Sequence, residues 1–308
     1  MKQSQRRGLV LAGKSPEITR VRKAVKVFSK EQGNILILGE IGTGRRSLAE
    51  KLHASGKSKD KPFSVIECGA IGDTLDVESV FPNPNNGHDP KEAMLFSAGK
   101  GTVFLNGVDR LNPDLQDKLY NFLATIPQDS TFNSRIIAVA EPSLEKKVRD
   151  HKFRVDLFHK LDEFRINLPA IRERKQDIPF IFTYFLETFC EEFGKPIPTV
   201  PFDVFEAILE YDWPGNIGEL RNCVRNLVIM SPDGELVPDY LPFRVQPNPL
   251  EALASRDLPS AVSEVERFLI RKALARFEGN QSKAARLLRV SEAALRYKMK
   301  KYGLPSFK

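Results

Sequence analysis

The stretch Asn34-Ile35-Leu36-Ile37-Leu38-Gly39-Glu40-Ile41-Gly42-Thr43-Gly44-Arg45-Arg46-Ser47-Leu48 decides how the rest of the chain is read. An apolar strand, Asn34 to Leu38, runs into a glycine-rich turn, and a helix-forming segment, Leu48 to His53, follows. Glycines let successive backbone N–H groups converge on an anion, and the start of a helix adds partial positive charge. This is the context of a phosphate-binding loop, G-x-x-x-x-G-K-[ST], whose lysine reaches the terminal phosphates and whose hydroxyl holds magnesium. Gly39 and Gly44 keep that spacing, but Arg45 takes the lysine place and Arg46 the hydroxyl place. The cradle formed by Gly39, Glu40, Ile41, Gly42, Thr43, Gly44, Arg45, Arg46 and Ser47 keeps its backbone pattern and changes its polar fittings.

Outward from this loop, short apolar runs alternate with helical periodicity. Ser15 reads as the N-cap of a helix from Pro16 to Gln32, with Ile18, Val21, Ala24, Val25 and Phe28 at helical spacing. Further strands are predicted at Phe63–Cys68, Gly101–Asn106 and Arg135–Ala140, with helices at Asn112–Thr125 and Leu144–Lys152 between or after them. Such alternation implies a parallel α/β sheet covered on both faces. After Leu168-Pro169 only helices are expected: Asp177–Phe193, Pro201–Tyr211 and Asn216–Met230. Proline then becomes dense from Pro238 to Pro259, as in an extended linker. The predicted fold class is therefore an α/β P-loop domain over residues 1–170, a small all-α domain over 171–243, a linker over 244–260 and a helical module over 261–308.

Composition sets bounds on function. An apolar fraction of 41% and a charged fraction of 28% suit a globular protein. No apolar run approaches the roughly 20 residues of a membrane helix, so no membrane partner is expected. Cys68, Cys190 and Cys223 lie far apart and the four histidines are scattered, which predicts reduced thiols, no metal site and a cytoplasmic protein. The formal charge of +7 is uneven: from Ser263 onward twelve Lys/Arg face four Asp/Glu, leaving the preceding 262 residues near −1. A basic helical tail on a near-neutral body points to nucleic acid.

The tail carries its own geometry. Ala284, Ala285 and Leu288 form the buried face of one short helix, Gln281–Arg289. Ser291 caps the next, which runs to Tyr302 and buries Leu295 and Met299 at i and i+4. Two such helices joined by a tight turn place the second in the major groove of double-stranded DNA. Residues near its start read base edges, and later cations meet phosphates. We assign Glu292, Ala293, Arg296 and Tyr297 to bases and Lys283, Arg289, Lys298, Lys300 and Lys301 to the backbone, with Ser291 at the helix start also among the DNA-binding residues.

Several phrases, taken together, resemble a known family. Gly39–Leu48 resembles GExGTGKE, Gly101–Asn106 resembles GTLFLDE, and Lys152–Leu168 resembles FREDLYYRLNVFxIxL. Leu168–Ile178 resembles LPPLRERxEDI, and Trp213–Leu220 resembles WPGNVREL. In this order, over about Gly13–Pro242, they are similar to the bacterial enhancer-binding proteins, the AAA+ activators of sigma-54 RNA polymerase, and the tail resembles that family's Fis-type helix-turn-helix. The resemblance implies an AAA+ P-loop subdomain, a helical lid subdomain and a DNA-binding domain, with no receiver or sensory domain expected ahead of them. It also implies dimeric or ring-like self-association, with the helix before the helix-turn-helix pairing with its twin.

Residue by residue, the family's hydrolytic set is altered. Hydrolysis needs magnesium, a carboxylate that acts as base or positions water, and positive charge near the terminal phosphate. The acidic pair implied at the end of GTLFLDE is Asn106-Gly107, the sensor asparagine is Glu141, and the sensor arginine is Gly218. Of the two trans-acting arginines implied, Arg154 is kept and the second is Lys160. The GAFTGA loop that touches sigma-54 has no counterpart between Ser79 and Ala93, where a Pro/Asn-rich loop, 82–90, stands.

No catalytic residue is therefore assigned, and ATPase activity is expected to be absent or very weak. ATP or ADP is an expected ligand only without efficient hydrolysis, with magnesium disfavoured; a purely structural turn is the alternative for the cradle. The leading expectation is a DNA-binding regulator on a degenerate AAA+ scaffold. The alternatives are a sigma-54 activator that recruits Glu67, Asp109 or Glu141, and an oligomerising partner of an active relative or of an RNA polymerase component.

Overall fold

The computed structural model describes residues 11–81, 94–95, 97–125, 134–231, 236–242, 244–245, 257–277, 280–302 and 304. The chain forms two compact units, Met1–Arg244 and Val245–Lys308. The loop 82–90 and most of the expected linker, residues 246–256, lie outside the described residues.

In the larger unit, α1 (Pro16–Phe28) leads to β1 (Ile35–Leu38), then α2 (Arg45–Ala54), β2 (Phe63–Glu67) and the short α3 (Val77–Val80). There follow β3 (Thr102–Asn106), α4 (Pro113–Thr125), β4 (Arg135–Ala140), α5 (Leu144–Arg149), α6 (Val155–Leu161) and β5 (Phe164–Asn167). The strands form one parallel sheet in the order β2-β3-β4-β1-β5. The three central strands read as near-continuous apolar runs because both faces are covered. On one face Leu36, Leu105, Ile136 and Ala138 pack with Leu115 and Leu119 of α4, Leu144 of α5 and Leu157 of α6. On the other, Ile35, Ile37, Phe104 and Val139 meet Ile18 and Val21 of α1 and Leu48 and Leu52 of α2. Register aligns the carboxyl ends: Leu38 lies beside Ala140 and Asn167, Asn106 beside Val139, and Glu67 beside Asn106. Ligands of such sheets bind at that edge.

Several expected bounds shift. Helix α1 stops at Phe28 rather than Gln32, because the amides of Lys30 and Glu31 turn back onto the carbonyls of Val27 and Phe28. Ser15 does cap its start, accepting from the Ile18 amide at 3.2 Å. Helix α2 begins at Arg45, three residues before Leu48, so the two arginines sit in its first turn. Helix α5 ends at Arg149 rather than Lys152, where His151 takes a positive φ of 55°.

A 3-10 segment, Ile171–Asp177, leads into a helical subdomain of α7 (Ile178–Phe193), α8 (Phe202–Glu210) and α9 (Asn216–Met230). Its core includes Phe182, Phe185, Phe189, Val204, Ile208, Leu220 and Leu227 around Trp213, whose indole N–H donates to Ile208 O at 2.9 Å. The smaller unit holds α10 (Leu258–Arg276), α11 (Gln281–Leu288) and α12 (Glu292–Lys301). Ile270, Ala273 and Leu274 close over Ala284, Ala285, Leu295 and Met299 there. The small side chains of Ala284 and Ala285 allow the close approach that this packing needs.

Candidate functional site

Backbone conformation preserves the cradle. Gly42 (φ 83°) and Gly44 (φ 99°) occupy the left-handed region that glycine enters without steric cost. Gly44 caps α2 with no side-chain bond, so the first amides of that helix keep their donor capacity. Thr43 is fully buried and donates its hydroxyl to Glu40 O at 2.7 Å, pinning the loop from within.

The two arginines part company. Arg45 folds back, donating through Nη1 to Gly39 O at 3.0 Å. Burial pulls its guanidinium below the ordinary value, while the charges of Glu141 and Asp109 act in the opposite sense. Arg46 turns away, with its Nε 3.3 Å from Glu50 on the exposed side of α2. Its guanidinium offers no replacement for a hydroxyl ligand to a metal.

The helical subdomain grips the cradle directly. Arg172 forms a two-pronged pair with Glu40, one prong being Nη1 to Oε2 at 2.8 Å. This pairing, ahead of the opposing effect of burial, holds the Glu40 carboxyl below its usual range. Asn216, fully buried at a φ of 55°, donates to Glu40 Oε2 at 3.1 Å and Ile41 O at 2.9 Å and accepts from the Ile171 amide at 3.0 Å. The Gly218 amide donates to Gly42 O at 3.2 Å. A Cβ on Gly42 would stand 2.1 Å from Gly215 O, so loop and lid touch backbone to backbone. Sequence reasoning assigned no role to Asn216 or Arg172, although both fall inside quoted phrases.

Beyond the cradle, at the ends of β2, β3 and β4, lies a polar cavity of about 470 Å³. Its charged lining is Arg45, Glu67, Asp73, Asp109, Arg110 and Glu141. Asn106 donates to Glu67 Oε2 at 2.6 Å, tying the new amide on β3 to the carboxylate on β2. Lys147 donates to Asp109 O at 2.6 Å and Oδ2 at 3.3 Å, leaving the buried Oδ1 without a partner. Arg110 approaches Glu141 at 3.8 Å. Three separately engaged carboxylates surround the cavity, and none converges on a shared point: among the described residues no three His, Cys, Asp or Glu side chains are grouped to hold a metal. The Cys68 thiol beside them is pushed up to about 12, chiefly by burial, and is inert.

Arg154 is held by groups of its own chain. Nε and Nη2 donate to the two oxygens of Asp156 at 2.9 and 2.6 Å, Nη1 pairs with Asp117, and the guanidinium lies 4.6 Å from the centre of the Tyr120 ring. The Lys160 ammonium reaches Leu123 O, at 3.5 Å.

In the smaller unit, Asn280 caps α11 by accepting from the Lys283 amide at 3.0 Å, and Arg289 closes it in the left-handed region at φ 54°. Ser291 caps α12, accepting from the Ala294 amide at 3.1 Å. Leu295 and Met299 are buried, and Lys283, Arg289, Glu292, Ala293, Arg296, Tyr297, Lys300 and Lys301 are exposed. Arg296 donates through Nε to Gln281 at 3.2 Å, with Glu292 3.6 Å from Nη2. Lys298, assigned from sequence to the DNA backbone, donates to Glu266 of α10 at 2.6 Å, beside the Tyr302 hydroxyl, also at 2.6 Å. Glu266 lies 32 residues from Lys298, and no local pattern announces the pair.

Comparison with known proteins matches three families in succession along the chain. Residues 11–167 match the family described as Sigma-54 interaction domain, 172–258 the AAA+ ATPase lid domain, and 261–302 the bacterial regulatory proteins of the Fis family. A signal-transduction and transcriptional-control protein of Clostridium beijerinckii is 30% identical over 96% of this chain; the chain spans 48% of that relative's length. The transcriptional regulatory protein ZraR of Escherichia coli strain K12 is 29% identical, over 94% of this chain and 68% of the relative. NtrX from Brucella abortus, solved in complex with ATP, is 25% identical with a TM-score of 0.67, covering 95% of this chain and 69% of its own. Its complex with ADP, at 24% identity and a TM-score of 0.69, shares the fold.

Proposed function

The chain belongs to the NtrC-type family built on a sigma-54 interaction domain, an AAA+ lid and a Fis-type helix-turn-helix, and from that premise we propose that it is a DNA-binding transcriptional regulator whose AAA+ module does not turn over ATP. The family is normally an AAA+ ATPase. One observation carries the departure. Where β3 and β4 end, Asn106, Gly107 and Glu141 face the cavity, and the one carboxylate beside them on β2, Glu67, is already bonded to Asn106. An amide tied to a carboxylate is a poor metal ligand, glycine supplies no base, and Glu141 adds negative charge where a phosphate needs the opposite.

The lid supports the same reading. Gly218 brings no positive side chain to the loop; its amide bonds to Gly42 instead. The module is thus closed by protein contacts (Glu40 to Arg172 and Asn216, and Gly218 to Gly42) rather than by a terminal phosphate. In this reading the scaffold supports self-association and presents the basic face of α12 to double-stranded DNA. Among the described residues no helix is long and apolar enough to cross a membrane.

A second reading has one observation in its favour. Asp109 is buried at the cavity with an unpaired Oδ1, the kind of carboxylate that a substitute hydrolytic site would need. Phosphate release from ATP, measured with the DNA-bound protein, separates the two. The leading reading predicts release at the level of a protein-free control; robust turnover that disappears in Asp109→Asn would replace it with an ATP-dependent activator.

A further inference from the structure

We propose that the cradle takes a nucleoside diphosphate without a metal ion and discriminates against the magnesium triphosphate. The inference rests on reading residues 39–47 as a phosphate holder and concerns how far along a nucleotide that holder can reach. Two halves of the site, separated by Arg45, treat an anion in opposite ways.

The near half attracts. Positive φ at Gly42 and Gly44 turns successive amides inward, and the ten-residue α2 begins there with its N–H groups uncapped. Arg45 is half-buried and commits Nη1 to Gly39 O, leaving Nη2 and Nε of its fork for a phosphate oxygen. Two phosphates fill a nest and helix start of this kind.

The far half repels. A third phosphate leads from the loop toward the ends of β3 and β4, into the cavity lined by Glu67, Asp73, Asp109 and Glu141 against Arg45 and Arg110 alone. The lining carries two more negative charges than positive. Asp109 is 8% exposed, and Lys147 meets its backbone oxygen and Oδ2 but not Oδ1, offsetting part of the charge while solvent screens the rest little. Glu141 meets Arg110 at 3.8 Å and otherwise interacts with Arg45 only through its charge among the described residues.

Magnesium, the usual remedy, does not fit. Its implied ligand places are Asn106, Gly107 and an Arg46 turned outward onto Glu50, and the carboxylates present are bonded apart from one another. The lid offers the third phosphate no charge, because Gly218 has no side chain and Arg172 is spent on Glu40. A diphosphate stops short of all of this.

The test is a fluorescence-anisotropy titration of the full chain with N-methylanthraniloyl-ADP and the matching ATP analogue, each with and without magnesium. Like-charge repulsion across a partly screened cavity predicts ADP binding at least about tenfold tighter than ATP, with magnesium changing the ADP affinity less than about twofold. Glu141→Gln, at a half-exposed position that leaves the core intact, should narrow the gap by about threefold or more, since it removes one of the repelling charges. Gly44→Val, forced into a left-handed conformation, should abolish binding of both. ATP binding as tightly as ADP, magnesium tightening either one tenfold, or a gap unmoved by Glu141→Gln would each overturn the proposal. Binding of neither nucleotide would overturn it together with the phosphate-holder reading. The DNA-binding reading is scored separately, by a gel shift on the same preparation.

Discussion

The cradle and the last helix, α12, each open on a helix start, yet they finish it in opposite ways. At α2 the cap is Gly44, which bonds to none of the first amides, so those donors remain for a ligand; the charges beyond are mostly acidic. At α12 the cap is Ser291, whose hydroxyl takes the Ala294 amide, and the exposed cations are Arg296, Lys300 and Lys301. On the proposed reading, an open helix start ringed by carboxylates would select which anion enters, and a closed one among cations would hold any phosphate backbone and leave selection to side chains at its tip. Helix geometry alone therefore does not tell the two roles apart; the cap and the surrounding charge do.

The largest effect expected falls on the cradle's contact with the lid. Gly42→Ala forces a Cβ to within 2.1 Å of Gly215 O at a φ of 83°, so loop and lid must separate. Left-handed strain and lost hydrogen bonds together cost about 2–4 kcal/mol. The chain has a single tryptophan, Trp213, buried in the lid, so urea unfolding followed by its fluorescence reads this loss. Gly218→Ala is the contrast: its Cβ would sit 3.7 Å from Gly42 Cα, an ordinary contact, and a helical glycine gains about 0.5–1 kcal/mol on becoming alanine. Equal loss in both variants would mean that the lid does not rest on the loop as described.

A smaller effect sharpens the other side of the comparison. Arg296, steadied by Gln281 and Glu292, should read a base, so Arg296→Ala should cost about 1–3 kcal/mol on a mapped operator and little on unrelated DNA. Lys300→Ala should weaken binding to every sequence and lower the salt-dependence slope by about 1. Binding curves at several salt concentrations decide between them. If Arg296→Ala weakens all sequences alike, that side chain is a phosphate contact and the tip of α12 reads DNA through other residues.

What sequence reading captures follows from where each stabilisation comes from. Strand β4, Arg135–Ala140, and helix α9, Asn216–Met230, match their expected bounds, because each carries its own pattern over its full length. Strand β5 has only Phe-Arg-Ile-Asn, half-buried at the sheet edge, and exists through pairing with β1; its sequence is quoted in a family phrase without being read as a strand. The seven-residue α6 is hidden in that phrase too. The cradle residues are legible from glycine spacing. Their clasp is not, since Asn216 reaches Glu40 across 176 residues and no local rule links an amide to a carboxylate at that distance. The Lys298 contact is hidden for the same reason: no local pattern points to Glu266, which the return of α10 brings beside it.

That last pair gives the smallest effect and the most direct check on the recognition unit. Lys298 first, then the Tyr302 hydroxyl, hold the Glu266 carboxyl below its ordinary value near 4.5. A carboxyl depressed in the folded state contributes stability that is present above its unfolded pKa and is lost as pH falls through the lower folded value. The smaller unit should therefore lose part of its stability on acidification below about pH 4.5, and Glu266→Gln should flatten that limb while lowering stability at neutral pH by less than Gly42→Ala lowers it. Acid titrations followed by far-ultraviolet circular dichroism, with Lys298→Met alongside, provide the measurement. The pair also bears on DNA. If Lys298 is bound to Glu266 rather than to phosphate, Lys298→Met should leave the salt-dependence slope unchanged where Lys300→Ala reduces it. A reduced slope in both would return Lys298 to the DNA face and make its bond to Glu266 one that DNA displaces.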